Sequence, residues 1–321
     1  MKILYAGSPQ AAAETLRILL QKQSECNFEI AGVLSNPPSA KGRHKELTPT
    51  PVAALAIENS IPVFTPEHLD GKVREEILAV HADILVCFAY GHIFGPKFLS
   101  IFPMGGINLH PSLLPKYRGC TPVPAAILNR DKETAVTIQT LSLKMDEGNI
   151  LAQKKITLDG SENGESLLNQ AAQIGADLIS SLLNDAARQN KLPEGTAQSG
   201  EPSYTGIITK NDGKINWSEK ASLTEAKVRA YYPEPGCWAL ENEAPLKILK
   251  ADFIEADDQR TKKYESEAAG KVLEFVKNEG IYIKAGDGIL VVKELQRQGK
   301  KVMPYKDFMN GARDFIGSVL K

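Results

Sequence analysis

Residues 82–90, ADILVCFAY, form a nearly continuous apolar run. A strand of that composition hides both of its faces, as happens when helices cover a mainly parallel sheet on both sides. Met1 to Ala6 and Glu29 to Leu34 read as further strands. Between them Leu16, Leu19 and Leu20 fall at i, i+3, i+4 spacing and mark the buried face of a helix. Ile61 to Phe64, Gly106 to His110 and Ala135 to Ser142 continue the series, and Asn149 to Leu158 alternates as an extended edge element. Helices are predicted from Pro51 to about Asn59 with Thr50 as cap, from Leu69 to about Val80, and from Gly164 to Ala187. The last carries Leu167, Ala171, Ile174, Leu178 and Leu182 on one stripe. Strands and helices in alternation predict an α/β fold with a mainly parallel sheet.

The pattern changes after Asn190. Residues 191–206, KLPEGTAQSGEPSYTG, are rich in Gly, Pro and Ser and lack apolar periodicity, so they read as a linker. Residues 1–190 then make the first domain and 207–321 the second. The second holds short β-rich segments at Leu246 to Ile254, Lys271 to Val276, Ile281 to Ala285 and Ile289 to Leu295, separated by glycine-bearing turns. Such spacing favours a small barrel or sandwich. Phe308 to Leu320 is predicted as a closing helix.

With 38 Lys+Arg against 39 Asp+Glu, the net charge of −1 excludes a strongly basic polyanion binder of the histone kind. Any nucleic-acid contact must come from local patches. Two exist. Lys41, Arg43 and Lys45 cluster in the polar, proline-bearing stretch 36–51, which is too long for an ordinary βα turn. From Lys293 to Lys321 seven Lys+Arg, Lys300 and Lys301 among them, face three Asp+Glu. Such patches can hold phosphates. Cys26, Cys87, Cys120 and Cys237 form no CxxC pair, so neither a disulfide framework nor a zinc site is expected and a reducing, cytoplasmic setting is. The amino terminus is too short for a signal-peptide core, and no apolar run approaches a membrane span. Gly7-Ser8-Pro9 after the first strand lacks GxGxxG, so NAD is not expected.

The densest chemical constellation is GGINLHPSLLPKYRG, residues 105–119. Its strand presents Asn108 and His110 on one face and stops at Pro111, and open α/β sheets take ligands just beyond the carboxyl ends of their strands. An asparagine amide can donate to a developing oxyanion, and an imidazole moves protons near neutrality. Asp146, after the next strand, could reach the same cleft and orient the imidazole. Together they suit acyl transfer without a protein nucleophile. A ligand pocket is expected among Phe88, Tyr90 and Gly91 on one side and Ser112, Leu113, Leu114 and Pro115 on the other, with backbone groups reading a planar ring and Phe88 and Leu114 as apolar wall.

The Asn-x-His pair, the following Ser112-Leu113-Leu114-Pro115 and Asp146 resemble the 10-formyltetrahydrofolate-dependent formyltransferases residue by residue. Within them the chain is most similar, over nearly its whole length, to the methionyl-tRNA formyltransferase family, through LYAGSPQAAAETL, SAKGRHKELTPTPV, GKINWSEKASLTEAKVRAYYPEPGCW and LVVKELQRQGKKVMPYKDFMNG. Pro111, and Tyr231 to Pro235, depart from the usual pattern. The resemblance implies a Rossmann-type formyltransferase domain followed by an OB-like barrel. It implies 10-formyltetrahydrofolate as co-substrate and initiator methionyl-tRNA as partner, with no metal, no membrane and a monomeric chain. It gives Asn108, His110 and Asp146 catalytic roles, places Arg43 on the family's key arginine, and has Tyr117-Arg118-Gly119 shape the cleft mouth.

Overall fold

Apolar runs in the first half become a seven-stranded sheet in the computed structural model, which describes residues 1–41 and 46–321, the side chains of Lys41 and Arg313 apart. In chain order the elements are β1 (Lys2–Gly7), α1 (Gln10–Lys22), β2 (Glu29–Leu34), the short β3 (Ser39–Lys41) and β4 (Glu46–Thr48), α2 (Pro51–Glu58), β5 (Val63–Phe64), α3 (Gly71–Leu78) and β6 (Ile84–Phe88). They continue with α4 (Pro96–Leu99), β7 (Gly106–His110), β8 (Arg118–Gly119), α5 (Pro122–Leu128), β9 (Glu133–Thr140), β10 (Ile150–Thr157), α6 (Gly164–Gln189) and β11 (Tyr204–Thr205). The sheet runs β10-β9-β7-β6-β1-β2-β5. From β5 to β7 neighbours are parallel; β9 and β10 add antiparallel strands at one edge.

All of Ile84–Phe88 in β6 is buried, as the unbroken apolar run requires. Thr50 caps α2 by accepting from the Ala53 N–H at 3.1 Å. On α6 the buried face differs from the predicted stripe. Ala171, Ala172, Gly175, Ala176, Ile179 and Leu183 are buried, whereas Ile174 and Leu178 are only half-buried. The reason is close approach: a Cβ on Gly175 would lie 2.0 Å from a methyl of Leu109 in β7. Small residues let this helix lie on the sheet, and a pattern weighted by hydrophobicity passes over them.

The chain leaves β1 toward β2 and β5, then returns to β6 and β7 on the other side. That reversal is where α/β sheets open a crevice at their carboxyl ends. One row of residues crosses the sheet near those ends: Leu34, Ala6, Cys87, Asn108, Gln139 and Ile150 are successive partners on β2, β1, β6, β7, β9 and β10.

By contact the chain divides into two compact units, residues 1–122, 133–157 and 167–206 forming the first and 123–132, 158–166 and 207–321 the second. The second contains α7 (Ala221–Ala230), β12 (Cys237–Glu241), β13 (Ala244–Ile254), β14 (Val272–Val276), β15 (Gly280–Lys284), β16 (Ile289–Arg297), β17 (Met303–Pro304) and α8 (Tyr305–Asn310). Its antiparallel order is β12-β13-β16-β15-β14, with β17 on β16.

The predicted closing helix ends early. After Asn310 come a 3-10 turn at Arg313–Phe315 and Gly317, whose φ of 87° stops any helix. The last residues extend instead: the Val272 N–H donates to the Ser318 carbonyl and the Leu320 N–H to the Gly270 carbonyl, both at 2.9 Å. On their other side the Leu240 N–H donates to the Lys321 carbonyl and the Lys321 N–H to the Leu240 carbonyl. These residues thus join the start of β14 to β12 and close the sheet order into a barrel.

Candidate active site

Pleat and register bring the predicted triad together. Asn108 and His110 are two apart on β7, so they share a face, and Gln139 and Thr137 stand opposite them on β9. After β9 the chain turns back through Asp146, whose φ of 54° is a left-handed conformation that aspartate tolerates. The turn is tight because Gly148 has no side chain: a Cβ there would sit 1.7 Å from the Thr140 carbonyl oxygen.

Asp146 is thereby aimed at β7. Its Oδ1 lies 3.6 Å from His110 Nδ1 and 3.5 Å from Asn108 Nδ2. Gln139 Nε2 donates to the same oxygen at 2.9 Å, and the Gly119 N–H donates to Oδ2 at 2.8 Å. His110 is only 4% exposed. Its Nε2 lies 2.8 Å from the Tyr117 carbonyl, which can only accept, so Nε2 carries a proton.

Burial lowers the pKa of His110, against the opposing pull of Asp146 and the Tyr117 carbonyl. The resting imidazole is therefore neutral at neutral pH, with the Nδ1 lone pair facing Asp146. The His110–Asp146 pair therefore has room for one more proton.

Around the triad, Ser112 is fully buried and its hydroxyl donates to the Lys116 carbonyl at 2.6 Å. Leu114 and Pro115 are buried and Leu113 is half-buried. Phe88 and Tyr90 are both 2% exposed, and Tyr90 stacks on Phe94 within the core. Their rings belong to the interior, so the backbone around Tyr90 and the exposed Gly91 is what this strand end offers a ligand. Asn36 Nδ2 already donates to the Tyr90 carbonyl at 3.2 Å.

Three contributors escaped the sequence reading. Gln139 was legible as a polar residue inside the apolar run AVTIQT, where a buried amide demands partners. The Gly119 N–H and Gln198 left no such signal. Gln198 lies in the stretch read as a linker, yet that stretch is bound along its length: Thr196 exchanges backbone hydrogen bonds with Ile150, and the Tyr117 N–H donates to Ser203 Oγ at 2.8 Å. Tyr204 and Thr205 pair as β11 with β8.

Of the basic residues singled out, Arg43 and Lys45 lie outside the described residues, and Lys41 ends β3, paired with Glu46. Lys300 and Lys301 are exposed in the turn between β16 and β17. No helix among the described residues is long and apolar enough to cross a membrane. No group of three or more His, Cys, Asp or Glu among them could hold a metal ion.

Comparison with known proteins agrees with this geometry. Residues 1–183 match the formyl transferase family and residues 207–313 its C-terminal domain. The chain is 42% identical over 327 residues to a methionyl-tRNA formyltransferase of Treponema denticola, covering 98% of each chain. It is 33% identical to one of Borreliella afzelii, covering 99% of this chain and 98% of the relative. A solved sugar 3N-formyl transferase, WlaRD, shares the fold at 20% identity with a TM-score of 0.61, over 94% of this chain and 99% of the other. The chain belongs to the formyl transferase family and, within it, to the methionyl-tRNA formyltransferases.

Proposed function

We propose that the protein transfers the formyl group of 10-formyltetrahydrofolate to the free α-amino group of methionyl-initiator-tRNA. The observation that carries this reading is the meeting of Asn108, His110 and Asp146 at the carboxyl end of β7, in a chain so similar to named relatives with that activity. The amine attacks the formyl carbon, a C–N bond forms and the carbonyl oxygen becomes an oxyanion. Asn108 Nδ2 has a second N–H for that oxygen. His110 Nε2–H now rests on a neutral carbonyl, and hydrogen bonds to a charged oxygen are roughly twice as strong as those to a neutral one. The proton lost by the amine passes to the His110–Asp146 pair and then to N10 as the C–N10 bond breaks, giving formylmethionyl-tRNA and tetrahydrofolate.

Ser112 to Pro115 and the backbone around Tyr90 and Gly91 are assigned to the folate, on the strength of their position beyond β6 and β7. Lys41, Arg43, Lys45, Lys300 and Lys301 are assigned to tRNA phosphates on charge and family resemblance. The test supplies the purified protein with 10-formyltetrahydrofolate and with charged initiator and elongator methionyl-tRNAs. Formyl incorporation into the initiator is expected. No transfer to either tRNA, with transfer to a small amine, would replace the acceptor.

A further inference from the structure

We infer that Gln139 and Gln198 are positioning residues, forming a one-way chain of hydrogen bonds from Arg118 that fixes the Asp146 carboxylate. The inference rests on the catalytic reading of Asp146 given above. Its starting point is a side chain with no ambiguity: a guanidinium has donors only. Arg118 is 9% exposed, and its Nε and Nη2 both donate to Gln198 Oε1, at 3.1 and 2.8 Å. That settles which way the Gln198 amide points. Its Nε2 must face the other way, where it meets the carbonyls of Asp146 and Gly148 at 2.7 and 2.9 Å and Gln139 Oε1 at 3.2 Å. Gln139 Oε1 is thereby held as acceptor, so Gln139 Nε2 must donate, and it does so to Asp146 Oδ1 at 2.9 Å.

Each amide leaves its neighbour one orientation. A flipped Gln139 would set its carbonyl oxygen against the carboxylate and its NH₂ against the Gln198 NH₂. Gln139 is 1% exposed, so water offers it no substitute partner. The chain ends on the carboxylate oxygen that faces His110 Nδ1. Arg118 is held in turn by Glu147 at 3.1 Å and by the Tyr204 hydroxyl at 3.0 Å. The stretch 191–206 therefore supplies, through Gln198, part of the geometry on which proton transfer depends.

A double-variant cycle reads this directly. Gln139→Met keeps side-chain length and removes both amide functions. Because a hydrogen bond to a charged group is worth about 1.5–3 kcal/mol, kcat should fall about 10- to 100-fold with KM for the folate within about twofold. In an Asp146→Asn background the same change should cost less than about twofold, since its route to the chemistry is gone. Equal losses in both backgrounds would overturn the inference, as would a rise in KM with kcat unchanged. A wild-type protein that formylates no methionyl-tRNA would defeat the functional reading instead. The inference is then decided without substrate, by the ¹⁵N shifts of the His110 ring: Gln139→Met and Gln198→Met should each move Nδ1, and spectra superimposable on wild type would sink it.

Discussion

His110 Nδ1 stands 3.6 Å from Asp146 Oδ1, while the other nitrogen of the ring is committed to the Tyr117 carbonyl at 2.8 Å. The separation is slightly long for a hydrogen bond, and the ring nitrogen that faces the carboxylate has no proton at rest. In the proposed mechanism the two groups act as one proton-holding unit, loaded when the amine attacks and emptied when N10 leaves. Removing either half should disable the unit. Asp146→Asn and His110→Ala are each expected to lower kcat by about 10² to 10⁴. The double variant should be little worse than the poorer single one, because residues acting as a unit are non-additive. Single-turnover formylation with saturating folate is the measurement; additive losses would show two separate roles.

The same burial makes stability depend on pH. Unfolded, His110 takes up a proton near its ordinary value of about 6.5. Folded, it does so only at lower pH, because burial outweighs the attraction of Asp146. Between those two values the unfolded chain binds more protons, so this contribution is complete above about 6.5 and is lost as pH falls through the folded value. The slope within that window approaches about 1.4 kcal/mol per pH unit. Urea midpoints from pH 7.5 to pH 5 should fall further for wild type than for His110→Asn. Parallel curves would contradict the assignment.

Much of this was readable in the sequence, for identifiable reasons. The ADILVCFAY run forces a strand buried on both faces, and the two-residue spacing of Asn108 and His110 forces them onto one face of the pleat. Legibility failed where tertiary contact decides. The α6 face is set by Gly175 lying against Leu109, a pairing between residues far apart in sequence. Gln198 sits among Gly, Pro and Ser with no periodicity, and only the folded positions of Arg118, Gln139 and Asp146 give it a task. The last residues follow the same rule, being read as helix but extended because they bond to the backbone of Gly270 and Val272 on one side and of Leu240 on the other.

Gly148 tests how tightly the Asp146 turn is built. An alanine methyl would fall 1.7 Å from the Thr140 carbonyl oxygen, which is backbone and cannot rotate away. Gly148→Ala should move the turn, cost about 1–3 kcal/mol of stability and reduce kcat as Asp146 withdraws from His110. Thermal unfolding and turnover measured together check it. An unchanged kcat would mean that the turn adjusts without displacing the carboxylate.

The proposed tRNA contacts of Lys300 and Lys301 predict a salt signature. Each phosphate neutralised contributes about 0.7–0.9 to the slope of log K against log salt concentration. Replacing both lysines with alanine should therefore flatten the slope for methionyl-tRNA binding by about 1.4 to 1.8. Turnover at saturating tRNA should be unchanged, because neither side chain belongs to the triad. Filter binding across a salt series gives the slope, and an unaltered value would remove these residues from the interface.

Removing residues 317–321 should open the barrel of the second unit. Those residues supply the Ser318 and Lys321 carbonyls and the Leu320 and Lys321 N–H groups that link β14 to β12, and Leu320, 2% exposed, is buried with them. A buried leucine contributes about 1.5–3 kcal/mol, and each net hydrogen bond about 0.5–1.5 kcal/mol. The loss is large for a unit whose total stability is on the order of 5–15 kcal/mol. The truncated chain should unfold its second unit at lower urea while the first unit keeps its transition, seen as protection loss confined to β12 and β14 in hydrogen exchange. Leu320→Ala, which spares the backbone bonds, should give a smaller shift of the same kind. Wild-type protection at β12 and β14 in the truncated chain would show that the sheet holds its curvature without the closing strand.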